Sequence, residues 1–397
     1  MEPDALFSLL DSFHIEIPSW GFADTGTRFG KFLQPAAAGT IEEKLADAGV
    51  VHKFTGCCPT VAVHVLWDFS MGVDATATAA LAKKHGVRIG SVNPNLFQDQ
   101  MYKFGSVCSG DDRTRLHAQR HVMDSIAIAQ AVGSSVLSLW FADGSNYPGQ
   151  DDIATRKHRM HGALRQCHDA MPAGMTMLLE YKPFEPAFYH TDIADWGMAC
   201  IFARHAGPNA RVLVDTGHHL PGQNIEHLVA FLLDEGMLGG FHFNDRKYAD
   251  DDLTLGSIDP YAAFRIFHEI RNAAELHGRD VDAIGYMIDQ SHNLKPKIEA
   301  MIQTAVTAQE LFAKACLVDR RQLRDAQVRH DIVDAEECLR TAFYTDVKPL
   351  LAQWRQRHYL DADPLHAYRA SGYEAKVAKE RTAARAARGT QTGSSYA

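Results

Sequence analysis

The sequence has no excess of positive charge and no long apolar segment, and both absences narrow its function. Its 397 residues carry 40 Lys and Arg against 49 Asp and Glu, a net charge of −9. A negative protein repels phosphate backbones and anionic lipid surfaces, so we expect no nucleic-acid or membrane partner. The most apolar stretch, residues 125–142, is interrupted by Gln130 and Gly133 and predicts no membrane span. The expected partner is a small, neutral molecule.

Cysteine is sparse and lacks the spacing of a zinc site. Of seven cysteines only Cys57 and Cys58 are close together, and they are adjacent. We therefore expect buried, reduced thiols. The N-terminal segment carries Glu2 and Asp4 where a secretory signal would carry basic residues. These features predict a soluble protein of the cytoplasm.

Short runs rich in Val, Ile and Leu alternate with segments of helical periodicity, which is typical of βα units and a parallel sheet. The predicted strands cover residues 15–22, 60–67, 87–93, 134–141, 176–182, 210–215, 239–244 and 283–289. The predicted helices cover residues 41–49, 76–85, 113–132, 152–171, 191–206, 224–235, 261–277 and 297–317. Eight strands, each followed by a helix, predict an α/β protein with a (β/α)8 TIM barrel. The alternative, a doubly wound sheet, requires a G-x-G-x-x-G loop that GFADTGTRFG lacks.

Residues after Val318 differ in composition from the predicted barrel. We assign residues 1–318 to the catalytic barrel and 319–397 to a C-terminal helical extension, because the latter is charged and contains no further strand-like run. From about Glu374 the apolar period is lost, which predicts a frayed tail. The extension could cap the barrel or grip a neighbouring subunit. We favour subunit contacts, because Trp354, Tyr359 and Tyr368 need a surface that buries them.

Four consecutive predicted strands end in ionisable residues, at the end of the barrel where active sites lie. They are, in strand order, Glu180, Asp215, His242 and Asp289. Any one of them alone could cap a helix or form half of an ion pair. Three converging carboxylates, however, repel one another unless a cation or a proton lies between them. Three oxygens and one nitrogen suit Mn, Mg, Co or Zn ions, so we predict a metal here.

A second group of ionisable residues lies in the neighbouring loops. Asp250 and Asp252 are two residues apart and can point together, and His218 follows Asp215 by three residues. An acidic surface loop with a loop histidine would explain the same residues without any ligand. They also fit a second ion beside the first, and two ions would hold two adjacent oxygens of a substrate.

These motifs carry a family resemblance. E-x-K at strand five, D-x-x-H at strand six, D-x-D after strand seven and the strand-eight Asp together resemble the xylose isomerase-like barrels. The segments LLEYKPFEPAFYHT, VDTGHH, GFHFNDRKYADDDLTLGSIDP and MIDQSHNLKPKIEAMIQ are more closely similar to bacterial L-rhamnose isomerases of broad aldose specificity. The resemblance runs from about Gly21 to Val318. Asp215 and His242 replace the Glu and Asp that are usual in xylose isomerases, as they do in rhamnose isomerases.

The resemblance implies two divalent metal ions per subunit, with Mn²⁺ expected and Co²⁺, Zn²⁺ or Mg²⁺ as alternatives. It implies that the structural ion is held by Glu180, Asp215, His242 and Asp289. It implies that the catalytic ion is held by His218, Asp250 and Asp252, with Asp215 close to both ions. The catalytic residues would be Lys182, Asp289 and His218, of which Lys182 would bond a substrate oxygen. A homotetramer is typical of the family.

The resemblance also implies where the sugar binds. Its ring would pack on Trp140 at the end of strand four, with His64, Trp67 and Lys182 in the same pocket. Without the resemblance, these aromatic residues and His64 would be interpreted as ordinary barrel core. Phe29 in the GTRFG segment resembles an aromatic residue that the family donates to a neighbouring subunit's active site.

The resulting hypothesis is an aldose–ketose isomerase that interconverts L-rhamnose and L-rhamnulose, and related aldoses. We predict a metal-promoted hydride shift, because nearly every carboxylate is assigned to an ion and none is free to act as the base of an enediol route. Lys182 would support charge developing on oxygen. A ketose 3-epimerase, with one metal and two free carboxylates, is the alternative, and the pairing of Asp250 with Asp252 disfavours it. A metal-dependent phosphodiesterase would need a basic groove, which the net charge disfavours. A non-catalytic barrel would leave the cluster without a purpose.

Overall fold

Eight parallel strands form the barrel in the computed structural model of the protein, which describes residues 2–24, 32–69, 73–97, 99–184 and 189–387. In chain order the strands are β1 Ile17–Pro18, β2 Thr60–His64, β3 Arg88–Asn93, β4 Val136–Leu139, β5 Thr176–Glu180, β6 Ala210–Asp215, β7 Leu238–Phe243 and β8 Gly285–Ile288. Each strand pairs with the next one in sequence. Glu16 closes the circle, because its amide donates to the Tyr286 carbonyl at 2.7 Å and its carbonyl accepts from the Ile288 amide at 2.9 Å. The predicted TIM barrel is confirmed.

A ring of helices surrounds the strands. The helices are α2 Ile41–Thr55, α4 Ala75–Lys84, α5 Asp112–Val132, α6 Ile153–Ala170, α7 Trp196–Ala206, α8 Ile225–Asp234, α9 Pro260–His277 and α10 Lys297–Cys316. Two others, α1 Pro3–Ser12 and α3 Val65–Asp68, lie before β1 and directly after β2. Most ring helices begin at an Asp, Asn or Thr side chain that accepts an amide hydrogen of the first turn, namely Thr40, Asp74, Asp111, Asp152, Asp195, Asn224 and Asp259. The caps account for much of the polar character of the βα loops.

Two predicted strands end earlier than the apolar pattern suggests. β1 stops at Pro18, which has no amide hydrogen for the ladder, and the chain turns into a 3₁₀ helix over Ser19–Phe22. β2 stops at His64, because the Asp68 carboxylate accepts the His64 amide at 2.9 Å and the chain enters α3. The sequence analysis placed Trp67 at the end of a strand. In the structure Trp67 lies in the short helix α3 instead.

The C-terminal extension packs on its own barrel. It consists of α11 Arg320–Val328, α12 Ile332–Tyr344, α13 Lys348–Arg357, α14 Pro364–Ser371 and α15 Tyr373–Ala387. Trp354 is buried and donates to Asp11 of α1 at 2.7 Å, and Tyr368 is buried against Phe54 of α2. Of the three aromatic residues that suggested a partner, only Tyr359 is exposed. The expectation of a frayed tail from Glu374 is wrong as far as Ala387, because that segment is helical. The assignment of the extension to subunit contacts stays a prediction.

All seven cysteines are free and buried, as the sequence analysis expected. Over the residues that the structure describes, no helix combines the length and the apolar character that crossing a bilayer would need.

One buried ion pair fixes the segment that leads into the mouth of the barrel. Asp68 accepts hydrogen bonds from Lys44 of α2 at 2.6 Å, from the Ser19 hydroxyl at 2.6 Å and from the His64 amide at 2.9 Å. Both charged side chains are almost fully buried. Removing one partner would leave the other charge buried without compensation.

We expect Asp68→Ala to lower the free energy of unfolding by about 3–5 kcal/mol, because the Lys44 ammonium stays buried without its partner. Urea unfolding of the variant measures this loss. Lys84→Met, which removes the exposed pair with Glu42, is the matched control and should cost at most about 1 kcal/mol. Equal losses in the two variants would contradict the role of Asp68.

Candidate metal centre

Four side chains from consecutive strands meet at the C-terminal end of the barrel. Glu180 and Asp215 are the last residues of β5 and β6, His242 is next to last in β7, and Asp289 follows β8. Each offers a ligand atom, and these four atoms lie within 4.8 Å of one another. The register explains part of this convergence, since Asp215 is paired directly with His242 across β6 and β7. None of the four caps a helix in the described part of the chain, so the capping interpretation does not apply to them.

Distances within the cluster identify the ligand atom of His242. Its Nδ1 lies 3.2 Å from Glu180 Oε1, 3.8 Å from Asp215 Oδ2 and 3.9 Å from Asp289 Oδ2. The Oδ1 atom of Asp215 accepts from the Gly217 amide at 2.7 Å and from Asn244 at 3.0 Å. The Oδ2 atom of Asp215 is buried and finds no hydrogen-bond donor among the described residues. A buried carboxylate oxygen without a donor is costly, and a cation would satisfy it.

The pKa values of the cluster show how strongly the carboxylates favour positive charge. Burial raises the pKa of Asp215 to about 7, even though His218 opposes this shift. Burial alone would lower the pKa of His242, but the neighbouring Glu180 carboxylate raises it to about 10. Burial would raise the pKa of Glu180, but His242 and the other cationic groups around it lower that pKa. A divalent cation supplies this positive charge more compactly than imidazolium rings, so the residues present fit a metal ion.

A second cluster shares Asp215 with the first. Ligand atoms of Asp215, His218 and Asp250 lie within 4.8 Å of one another. His218 Nε2 lies 3.3 Å from Asp250 Oδ2, while its Nδ1 lies 3.0 Å from the Tyr181 carbonyl. An Nδ1–H that donates to this carbonyl leaves Nε2 as the acceptor, which is the usual arrangement of a metal-ligating histidine. Burial alone would lower the pKa of His218, but Asp215 and Asp250 raise it to about 9.

Asp252 and Lys182 occupy the edge of this second cluster. Asp252 lines the adjacent cavity and has a positive φ of 49°, but its carboxylate is not among the ligand atoms that the structure groups together. Lys182 Nζ donates to Asp250 Oδ2 at 2.5 Å and lies 5.4 Å from the centroid of the Trp140 ring. The predicted second site is therefore assembled from three of its four residues, with Asp252 beside them.

Members of both clusters line one side of a cavity of about 200 Å³, whereas the shared Asp215 is fully buried and does not line it. Aromatic rings form the opposite wall: the His64 ring centroid lies 4.2 Å from that of Trp67 and 4.7 Å from that of Trp20, and the Phe97 centroid lies 4.9 Å from that of Trp140. The residues that the resemblance assigned to the sugar pocket, His64, Trp67, Trp140 and Lys182, thus all line one space. Phe29 lies outside the described residues.

Sequence reasoning missed several residues of this cavity. Trp20 donates its indole hydrogen to Asp289 Oδ1 at 2.9 Å, and the 3₁₀ turn that places it there has no apolar period to reveal it. Ser138 also lines the cavity, and here a signal exists, because it lies on β4 two residues before Trp140, which follows the strand, and extended residues two apart face the same side. Phe97 lies in the loop after β3, where no periodicity applies.

Three buried polar atoms on the aromatic wall have no hydrogen-bond partner within the described part of the chain. They are His64 Nδ1, Ser138 Oγ and Trp140 Nε1, and all three residues line the cavity. Burial lowers the pKa of His64 to about 3, so its ring is neutral at ordinary pH. A ligand with hydroxyl groups would provide partners for such atoms without requiring a charge.

A third cluster, formed by Cys108, Asp143 and Asp192, has a cysteine in place of a histidine and lies in a different environment. Asp143 accepts from the Cys108 amide at 2.7 Å and from a serine hydroxyl at 2.6 Å. Asp192 forms an ion pair with the buried Arg156 at 2.8 Å. Because a guanidinium group already supplies the positive charge, we interpret this cluster as a structural ion pair.

Comparisons with known proteins bear on the fold and the family of the chain. The sequence profile described as xylose isomerase-like TIM barrel matches residues 66–275. Probable sugar isomerases of Mesorhizobium japonicum and Rhizobium meliloti are each 40% identical over 385 residues, which cover 96% of this chain and 89% of each relative. A xylose isomerase of Thermus thermophilus is 27% identical over 214 residues, 50% of this chain and 53% of that enzyme.

Solved structures share the fold at low sequence identity. A structure of L-ribulose 3-epimerase superposes with a TM-score of 0.57 at 14% identity, covering 80% of this chain and 97% of that one. A D-allulose 3-epimerase from Methylomonas sp., in complex with D-allulose, gives a TM-score of 0.54 at 16% identity, with coverages of 74% and 95%. At these identities the likeness concerns the barrel alone.

We expect the dialysed protein to bind two Mn²⁺ ions per chain, since two clusters of carboxylates and imidazoles share Asp215. Asp250→Asn should bind one ion and Asp215→Asn none, as measured by calorimetric titration and elemental analysis. Asp143→Asn is the matched control, because it changes a buried carboxylate of the Arg156 cluster, and it should still bind two ions. Two ions in Asp250→Asn, or fewer than two in Asp143→Asn, would contradict the assignment.

Proposed function

The chain belongs to the xylose isomerase-like TIM barrel family, and from this membership we propose that it is a metal-dependent aldose–ketose isomerase. The proposed reaction interconverts L-rhamnose and L-rhamnulose, with related aldoses as further substrates. The observation that carries the proposal is the pair of carboxylate–imidazole clusters that share Asp215 and whose other members line one side of a cavity of about 200 Å³. The curated relatives that match nearly the whole chain are described as probable sugar isomerases, which supports the same class.

The proposed isomerisation requires that the two sugar oxygens O1 and O2 be polarised. One hydrogen moves between C2 and C1 of the sugar and one proton moves between O2 and O1, so no external oxidant or reductant takes part. Glu180, Asp215, His242 and Asp289 would hold one ion, and His218, Asp250 and Asp252 the other. When bound, divalent ions supply the Lewis acidity that polarises the carbonyl and hydroxyl oxygens of the sugar.

Lys182 is the cationic side chain that we propose touches the substrate. Its Nζ is fixed by Asp250 at 2.5 Å and faces the Trp140 ring at 5.4 Å, so the ammonium group is held beside the metal wall. A fixed ammonium group can donate to a sugar oxygen as negative charge develops there, without the cost of reorganising water.

The opposite wall would orient the sugar. Trp67, Trp140 and Phe97 offer flat apolar faces to the C–H groups of the substrate, and His64 and Ser138 offer polar atoms to its hydroxyl groups. Because His64 is neutral, it can bind a hydroxyl group without adding a second positive charge opposite the ions. This combination suits an uncharged polyol better than a phosphorylated or nucleotide ligand.

The route by which the C2 hydrogen moves depends on whether a carboxylate near the substrate is free to act as a base. Glu180, Asp215, Asp289 and Asp250 all belong to the two clusters, and ligands are poor candidates for a free base at C2. We therefore propose a direct shift of hydride from C2 to C1 within the substrate. Asp252 lines the cavity outside the grouped ligand atoms, and an enediol route would require it to act as the base at C2 instead of as a ligand of the second ion.

The test is turnover of C2-deuterated L-rhamnose in ordinary water by metal-stripped and metal-restored protein. We expect Mn²⁺ to restore the rate by about a thousandfold or more, because a Lewis acid contributes several kcal/mol to such a transition state. The ketose product should retain the deuterium. D-Xylose, L-rhamnulose and D-allulose are assayed beside it, and untreated protein is the control for damage by the chelator.

Several outcomes would contradict these statements separately. Absence of turnover with every aldose in the presence of metal would overturn the isomerase proposal. Epimerisation of a ketose at C3 without formation of an aldose would identify a ketose 3-epimerase instead. Loss of the deuterium to solvent would leave the isomerase in place but replace the hydride shift by an enediol route through Asp252.

A further inference from the structure

The last helix of the chain reaches the loop that follows the first strand. In α15, Arg385 donates to the carbonyls of Gln34, at 3.1 Å, and of Ala37, and it lies 3.6 Å from Asp24 Oδ2. One turn earlier, Arg381 donates to the Ala36 carbonyl and pairs with the fully buried Asp47 of α2. We call residues 32–40, between β1 and α2, the β1 loop. Main-chain carbonyls of this loop are therefore held by arginines more than 340 positions away in sequence.

Gln34 connects the β1 loop to the loop that carries a predicted metal ligand. Its side-chain amide lies within hydrogen-bond distance of three carbonyls, those of His292 at 3.2 Å, Asn293 at 3.3 Å and Lys295 at 2.9 Å. All three belong to residues 289–296, which we call the β8 loop, and this loop begins at Asp289. The main chain of Gln34 is tied down as well, because its amide donates to Asp24 at 3.1 Å.

The two halves of the β8 loop are held by different contacts. Lys297 donates to the His292 carbonyl at 2.6 Å, and His292 meets the Gln290 side chain at 3.0 Å, so the first half of the loop is fixed to α10. Gln34 binds the main chain of residues 293–295, and the Lys295 ammonium group donates to Thr254 at 2.7 Å and to Gln303 at 3.0 Å. Movement of Gln34 would therefore loosen the second half of the β8 loop, four residues beyond Asp289, whose carboxylate receives the Trp20 indole hydrogen.

We propose that the C-terminal helix positions the mouth of the barrel, with Arg385 and Gln34 as positioning residues for the metal centre. Arg385 fixes the main chain of the β1 loop, Gln34 transmits this constraint to the β8 loop, and the β8 loop holds Asp289 towards the cluster. The extension is then part of the active site's support, although none of its described residues lines the cavity. This inference rests on the metal centre of the proposed function and is independent of which sugar is turned over.

The experiment compares Gln34→Leu, Arg385→Met and the double variant by hydrogen exchange and by Mn²⁺ titration, both without substrate. We expect faster exchange in residues 32–40 and 289–296 in both single variants. We also expect binding of Mn²⁺ at the Asp289 site to weaken by about fivefold, because the ion must then order a loop that Gln34 holds in place in the wild type. The double variant should match the single variants, because both residues act through one chain of contacts. Arg385→Lys, which keeps one donor group, should lie between wild type and Arg385→Met.

Arg369→Met is the matched control. Arg369 lies in α14 and ties the extension to Glu299 of α10 without contacting either loop. Unchanged exchange in residues 289–296 of Gln34→Leu, additive effects in the double variant, or the same changes in Arg369→Met would each overturn the proposal. Should Arg385→Met fail to fold, Gln34→Leu decides alone. Hydrogen exchange of the metal-free variants is informative even if the proposed reaction is wrong.

Discussion

Glu180, Asp215 and Asp289 repel one another around His242, and the chemistry of the site is set by the positive charge that offsets this repulsion. The register of β5 to β8 brings these groups together, and burial keeps water from separating them. Three buried carboxylates at these distances cannot all be ionised without a compensating positive charge beside them. The donor types, the orphaned oxygen of Asp215 and the neighbouring His218 cluster all agree with divalent ions as that charge.

The side of the cavity opposite these charged residues is aromatic and neutral. Aromatic faces and neutral polar atoms such as His64 Nδ1 enclose the other side of the cavity, so charge is concentrated on one side only. A neutral polyol can lie between the two walls with its oxygens towards the ions and its C–H groups towards the rings. Lys182 stands at the junction of the walls.

The strand-end positions of Glu180 and Asp215 could be predicted because a period of two and the barrel rule fix both the face and the end at once. Trp20 could not, since Pro18 ends the first strand and the following 3₁₀ turn sets the direction of the indole. The surface on which the C-terminal extension packs could not be predicted from the sequence either. Helical periodicity shows that Tyr368 lies on an apolar face, but not whether its own barrel or a second chain covers that face.

Anomalous diffraction from crystals of the manganese-loaded protein would show directly whether two ions bind at the strand ends. We expect two anomalous peaks per chain at the C-terminal end of the barrel. One lies among Glu180, Asp215, His242 and Asp289, and the other beside His218 and Asp250, with Asp215 between them. Absence of a peak among the first four residues, with their carboxylates instead turned to other protein groups, would contradict it.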